Sequence, residues 1–175
     1  MPYATPARYC ADIGYDEARA QLLDEGRVLT AAVLRQVVDF VANGTPWPPE
    51  TTLPERVAAM AGHDRLVRKL GTVSNFMDGY LRAAVTLPIA QGSAFIGTLE
   101  DCCLALVREA LANDSDISND LITKPADRWR KWLIDVANKV VALVDDAGES
   151  PVGSNRVVFG QSKSNFDWDA FGGRQ

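Results

Sequence analysis

The stretch HDRLVRKLGTVSNFMDGYLRAAVTLPI, residues 63–89, predicts the helix on which the fold depends. Its apolar residues recur at alternating steps of four and three, which is the spacing of one face of an α-helix. Those residues are Leu66, Leu70, Val73, Met77, Tyr80 and Ala84. A helix of about 20 residues is roughly 30 Å long, about the width of a small domain, so we expect the other segments to pack around it.

Glycines mark the predicted start and the packing of this central helix. Gly62 is placed to end a preceding short helix, residues 54–61, and Asp64 is placed to cap the central one. Gly71 and Gly79 lie inside the central helix, where each costs up to about 1 kcal/mol relative to alanine. We therefore expect a neighbouring helix to approach closely at these two glycines.

Five further segments combine helical periodicity with start or stop signals. They are residues 6–12, 15–25, 31–42, 99–112 and 123–144. Thr98 and Asp101 resemble a capping box before the fourth segment. The fifth starts at Thr123 and Pro125, and we expect its apolar residues to face inward: Trp129, Leu133, Val136, Val140 and Leu143. No alternating strand pattern precedes residue 150, so the sequence predicts an all-α fold, a helical bundle around one long central helix.

The proline-rich segment TPWPP, residues 45–49, cannot continue a helix or enter a central strand. We expect it to be an extended linker. Trp47 in its middle either pins the linker to the body of the protein or contacts a partner.

The composition changes after Asp146, where glycine, serine and asparagine become frequent. We divide the chain into a helical body, residues 1–146, and an extended C-terminal docking arm, residues 147–175. Disordered tails usually hold few aromatic residues, so the aromatics here indicate a segment that orders on a partner. The alternative is that the arm folds back on its own body. The candidate partner-binding residues are Arg156, Val157, Val158, Phe159, Phe166, Trp168 and Phe171.

The residues that commonly carry chemistry are sparse and scattered. His63 is the single histidine, which excludes a histidine-cluster metal site. Cys10, Cys102 and Cys103 have no metal-binding spacing, and we expect all three to be reduced. The loop NDSDISND, residues 113–120, lacks the glycine and glutamate of a calcium loop. We therefore expect no enzyme activity, no cofactor and no metal.

Charge and hydropathy limit the partners. The 175 residues carry a net charge of −5, whereas a protein that grips nucleic-acid phosphates is expected to be basic. Two basic clusters on predicted helices are interpreted as solvated or intersubunit faces: Arg65, Arg68 and Lys69, and Arg128, Arg130 and Lys131. No apolar run approaches a membrane span and no secretory signal is visible, so we expect synthesis in the cytoplasm and no membrane contact.

Short motifs in several parts of the chain resemble one family. They are YATP at residues 3–6, DGYL at residues 78–81, LPI at residues 87–89, Trp129 with Trp132 at the start of the last helix, and RVVF at residues 156–159. Together they resemble the Mu-like prophage neck protein family over about two thirds of the chain. Residues 23–61 do not match and are interpreted as an insertion.

The resemblance implies a head–tail connector, or adaptor, of a tailed bacteriophage. Such proteins form a ring, usually a dodecamer, between the portal protein and a tail-side neck or tail-terminator protein, and DNA passes through the channel without specific binding. The expected location is the virion neck, after synthesis in the host cytoplasm. Asp114, Asp116 and Asp120 are candidates for an acidic channel lining. The alternative function is a helical regulatory or DNA-binding module.

Overall fold

The computed structural model describes residues 2–22, 28–90 and 92–143. Within these ranges the chain forms six α-helices and no strand, which confirms the all-α prediction for this part of the protein. The helices are α1 (Pro6–Ile13), α2 (Tyr15–Gln21), α3 (Ala31–Asn43), α4 (Leu53–Leu81), α5 (Ile96–Asp114) and α6 (Asp120–Ala137).

Helix α4 is one continuous helix of 29 residues, so the predicted break at Gly62 and the predicted cap at Asp64 are wrong. The helix instead begins with a reciprocal capping box. The Glu55 carboxylate accepts the Thr52 N–H at 2.7 Å, and the Thr52 hydroxyl oxygen accepts the Glu55 N–H at 3.5 Å. A glycine ends a helix only where the backbone turns left-handed, and Gly62 stays helical.

Gly62, rather than Gly71 or Gly79, is the glycine of α4 that another part of the chain approaches closely. A β-carbon added at Gly62 would lie 3.2 Å from Leu29 Cδ2 and 3.6 Å from Leu22 Cδ1. At Gly71 and Gly79 an added β-carbon would meet no atom of the described chain within 4 Å. The expected close approach of a neighbouring helix to these two glycines is therefore wrong within the described part of the protein.

Four of the six residues predicted for the inward face are buried on α4, whereas Tyr80 is half-buried and Ala84 lies beyond the end of the helix at Leu81. Leu66, Leu70 and Met77 are at most 1% exposed, and Val73 is also buried. Helix α4 contacts α1, α3, α5 and α6. Its apolar face therefore contributes to the same core as the buried residues of the other helices.

The last two helices differ from their predicted limits. Helix α5 begins at Ile96, with Phe95 rather than Thr98 at the cap position, because the chain already turns where the Ile96 N–H donates to the Ser93 carbonyl oxygen at 3.0 Å. Helix α6 begins after Asn119, whose side chain accepts the Leu121 N–H at 2.9 Å. Pro125 is accommodated inside this helix.

The C-terminal end of α6 corrects one core assignment. The helix stops at Ala137, near Lys139, whose φ of 59° is left-handed. Leu133, Val136 and Leu143 are buried as expected, but Val140 is 70% exposed because it lies beyond the end of the helix. Trp129 is half-buried and contacts the Trp132 ring edge-on at 5.5 Å between ring centroids.

Polar contacts attach the two N-terminal helices to α5. The Arg108 guanidinium donates to both Glu17 carboxylate oxygens, at 2.6 and 2.9 Å. The Gln21 amide donates to Glu17 at 3.0 Å, and its carbonyl oxygen accepts the Tyr9 hydroxyl. Because Gln21 and Tyr9 are fully buried, these paired groups avoid the cost of unsatisfied polar atoms in the core.

Candidate interaction surfaces

The segment before α1 is anchored to the last turns of α4. The Tyr3 N–H donates to the Ser74 hydroxyl oxygen at 3.0 Å, and the Tyr3 hydroxyl donates to the Asp78 carboxylate. Burial, followed by the hydrogen bond to Asp78 and then by the Asp78 charge, raises the pKa of the Tyr3 hydroxyl. At neutral pH the hydroxyl therefore keeps its proton and remains a donor to Asp78.

These contacts form one side of an open depression with a volume of about 1370 Å³, here called the N-terminal cleft. It is lined by residues 2–5 and 85–89 together with Asp78, Arg82, Ile96 and Glu100. The lining includes the cis peptide bond between Leu87 and Pro88. The cleft therefore joins the start of the chain to the segment that follows α4.

The cleft offers an apolar wall with charged groups at its edge. Val85 is buried, and Leu87 and Ile89 are half-buried against the core. Glu100 forms an ion pair with Arg8 at 3.4 Å. The lining residues found in the described chain include no histidine or cysteine. This arrangement is suited to holding a peptide segment by apolar contact and hydrogen bonds.

Trp47 is half-buried against the body. Its ring centroid lies 5.5 Å from that of Phe40, and the Arg56 guanidinium carbon lies 5.8 Å from the Trp47 centroid. Arg56 also donates from Nε to the Thr51 carbonyl oxygen at 3.0 Å. These contacts support the interpretation in which Trp47 pins the linker to the body. Contact between Trp47 and a partner stays a prediction.

Apolar residues also occupy a side of α4 that the described chain leaves uncovered. Leu53 is 74% exposed, Val57 62%, Met60 36% and Val67 42%. Gly71 and Gly79 lie further along the same helix with open space above them. We call the side defined by these six residues, with Ala61, Asp64, Arg68 and Thr72, the outward face of α4.

The sequence carries the helical spacing of this outward face, although the face was not predicted from it. Residues 53, 57, 60, 64, 67 and 71 follow the same alternating steps of four and three as the inward face. The predicted break at Gly62 divided the run into two pieces that were each too short to show it. Once α4 is recognised as continuous, the spacing indicates a second, weaker apolar stripe.

The two predicted charge clusters are partly paired inside the chain. Asp114 lies 3.1 Å from Arg65 Nη2 and 2.8 Å from Lys69 Nζ, and hydrogen bonding to Lys69, followed by Arg65, lowers the pKa of Asp114. Arg130 contacts Glu109 and Asp127. Asp120 pairs with Lys124 at 2.8 Å. Asp114 is therefore a weaker candidate for a channel lining than its position in an acidic loop indicated.

The remaining chemistry-bearing residues lie apart from the cleft or inside the core. His63 is buried, with Nδ1 3.9 Å from the Asp64 carboxylate. Cys10, Cys102 and Cys103 are buried free thiols. Across residues 2–22, 28–90 and 92–143, no group of three or more His, Cys, Asp or Glu side chains is placed to hold a metal ion. None of the described helices is both long enough and apolar enough to cross a membrane.

The predicted docking residues of the arm lie outside the described residues. They are Arg156, Val157, Val158, Phe159, Phe166, Trp168 and Phe171. Comparison with family models, with curated proteins and with solved structures gave no match.

Proposed function

We propose that this protein is a structural head–tail connector of a tailed bacteriophage, which assembles as a ring between the portal protein and a tail-side neck or tail-terminator protein. The observation that carries the proposal is the meeting of three separate motifs at one site. Tyr3 of YATP, Asp78 of DGYL and the LPI segment all line the N-terminal cleft. Three of the five motifs on which the family resemblance rests therefore contribute to one structural feature.

In this proposal α4 is the organising helix of a bundle and residues 147–175 are the docking arm. The long helix, in contact with four others, supplies a rigid body. The arm supplies aromatic anchors, and buried aromatic residues of this kind commonly contribute about 2 kcal/mol or more at an interface. Repetition around a ring strengthens the attachment because the arms bind at high effective concentration.

The proposed channel passes DNA without retaining it. Three of the basic residues that could contact phosphates, Arg65, Lys69 and Arg130, already pair with carboxylates of the same chain. A protein binds DNA phosphates through Lys and Arg side chains that displace the counterions condensed on the DNA. Paired cations are poorly suited to this, which favours the connector over the DNA-binding module.

Two measurements test the proposal. The first is negative-stain electron microscopy of the full-length protein, alone and with portal-containing heads, where we expect rings with a central opening at the portal vertex. The second compares attachment to those heads by the full chain and by a chain truncated after Asp146. We expect the truncated body to keep its far-UV circular dichroism spectrum and to lose attachment.

A full-length triple variant, Phe166→Ala, Trp168→Ala and Phe171→Ala, is the matched control for the loss of chain length. It should attach as poorly as the truncated chain if the aromatics are the anchors. Normal attachment of the truncated chain would show that the helical body makes the contact. Absence of rings both alone and on heads would refute the connector function itself.

A further inference from the structure

We propose that the N-terminal cleft binds residues 156–159, the RVVF segment of the chain's own C-terminal arm, in the free protein. This segment lies outside the described residues. The contact joins two parts of one chain, so the proposal does not depend on the connector function. It gives a specific binding site to the alternative in which the arm folds back on its own body.

The first argument is the place where the arm begins. A connection of five residues, 115–119, joins α5 to α6, and Arg130 of α6 pairs with Glu109 of α5. Two packed helices with so short a connection run antiparallel. The C-terminal end of α6 therefore lies at the same end of the molecule as Ile96, the first residue of α5, which lines the cleft.

The length of chain before the RVVF segment is sufficient to reach the cleft. The described chain ends at Leu143, in the core, and Arg156 follows it by 13 residues. An extended stretch of this length spans up to roughly 45 Å, whereas packed neighbouring helices are only about 8–10 Å apart. A short linker also holds the segment near the cleft at an effective concentration of about a millimolar, so a weak contact is enough for occupancy.

The second argument is the free backbone of one cleft wall. Residues 86–89 follow α4 and belong to no helix. With the atoms of residues 2–22, 28–90 and 92–143, the N–H groups of Thr86, Leu87 and Ile89 and the carbonyl oxygens of residues 86–89 make no hydrogen bond. An extended peptide that lies along this wall can pair with these groups, which is how exposed backbone commonly recognises a peptide.

The third argument is the fit of apolar side chains. The cleft volume of about 1370 Å³ exceeds the roughly 300–1,000 Å³ of a small-molecule pocket, so a peptide segment fills it better. Val85 is buried in the wall, and Leu87 and Ile89 are half-buried. Residues 157–159 are the longest uninterrupted apolar run of the arm and are the part of it best suited to this wall.

Charge favours this segment over the rest of the arm. Within the described chain, the charged side chains that line the cleft are Asp78, Arg82 and Glu100, an excess of one negative charge. Arg156 supplies the compensating positive charge, and the Glu100 side chain is 33% exposed and open to it. The other aromatic segment, residues 166–171, holds two aspartates and no cation, so the same carboxylates disfavour it.

Hydrogen–deuterium exchange of the full-length protein, followed by mass spectrometry, tests the proposal. We expect peptides that cover residues 85–90 and 155–160 to exchange about threefold or more slowly in the wild-type protein than in a Val157→Asp, Phe159→Asp double variant. The variant leaves every residue of the helical body unchanged. Equal exchange of residues 85–90 in the two proteins would overturn the proposal.

A second double variant of the arm is the matched control. Phe166→Asp with Phe171→Asp adds the same two charges and removes two apolar side chains from the other aromatic segment. It should keep wild-type exchange at residues 85–90. Loss of protection in this variant, with retention in the first, would show that the cleft holds the wrong segment in our assignment.

A charge exchange tests the pair of Arg156 with Glu100 and its location within one chain. Arg156→Glu and Glu100→Arg should each speed the exchange of residues 85–90, and the chain that carries both should recover slow exchange. An equimolar mixture of the two single variants should stay fast, because each chain still faces its own like charge. Fast exchange in the doubly substituted chain would exclude this placement, and slow exchange in the mixture would show an arm from a second copy in the cleft.

Discussion

At the scale of single residues, the three glycines of α4 lie in two different environments. Gly62 is buried beside Leu29, whereas Gly71 and Gly79 face open space in the described chain. Glycine loses more backbone entropy than alanine when a helix forms. A glycine inside a helix is therefore expected only where its small size matters. For Gly62 the contact with Leu29 supplies such a reason, whereas the described residues supply none for Gly71 or Gly79.

We predict opposite effects of alanine in these two environments. Gly71→Ala and Gly79→Ala should each raise the free energy of unfolding of the monomer by about 0.5–1 kcal/mol, since nothing opposes the added methyl group. Gly62→Ala should gain less or lose stability, because its β-carbon would lie 3.2 Å from Leu29 Cδ2. Urea denaturation at low protein concentration measures all three. Equal effects at the three positions would show that the packing around Gly62 is looser than described.

The N-terminal cleft shows why single residues were hard to place from sequence. Tyr3 and Asp78 are 75 positions apart, and neither lies on a periodic apolar face that would mark it for burial. Local spacing reports which side of a helix faces the core, but it carries no information on which distant loop covers the end of that helix. The motifs were visible in the sequence, and their common location required the fold.

At the scale of helices, apolar periodicity predicted interior faces better than helix ends. The inward residues Leu66, Leu70 and Met77 were predicted correctly because core burial imposes the helical period. The ends depend on competition between nearby capping residues. The N-cap of α4 is Thr52, whereas the sequence predicted Asp64. The N-cap of α6 is Asn119, whereas the sequence predicted a start at Thr123. In both helices the observed residue makes its capping hydrogen bond one or more turns before the predicted start.

We predict a large contrast between two leucines of α6. Leu133→Ala should lower the free energy of unfolding by about 2–5 kcal/mol, because Leu133 is fully buried. Leu121→Ala, the same substitution at a residue that is 81% exposed, should change it by less than about 0.5 kcal/mol. Leu70→Ala on α4 should match Leu133→Ala. Denaturant unfolding followed by circular dichroism gives the three values, and a small effect at both buried sites would show that the inward faces are wrongly assigned.

At the scale of the whole molecule, buried acids make the fold sensitive to alkali. Burial raises the pKa of Cys10 and Cys102 from 9.0 to about 12, and that of Cys103 to about 11. It also raises the pKa of the Tyr3 and Tyr9 hydroxyls. The folded chain therefore holds protons that the unfolded chain releases above about pH 9.

We predict that stability is nearly constant from pH 7 to 8 and falls as the pH rises above 9. Because the native state binds more protons there, each thiol lowers the free energy of unfolding by up to about 1.4 kcal/mol per pH unit until its folded pKa is reached. Urea midpoints between pH 7 and 10.5 measure the trend. Cys102→Ala should reduce the slope above pH 9, and an unchanged slope in that variant would exclude this thiol as a contributor.

The pairing of Glu17 with Arg108 and of Tyr3 with Asp78 has a consequence for synthesis on the ribosome. The partners are 91 and 75 residues apart, so the first two helices leave the exit tunnel well before the residues that hold them. At translation rates of about 5–20 residues per second, the interval is roughly 4–20 s. During that time the nascent N-terminal segment presents Tyr9, Cys10 and Ala18 without their core neighbours, so we expect it to stay unpacked until the later helices emerge.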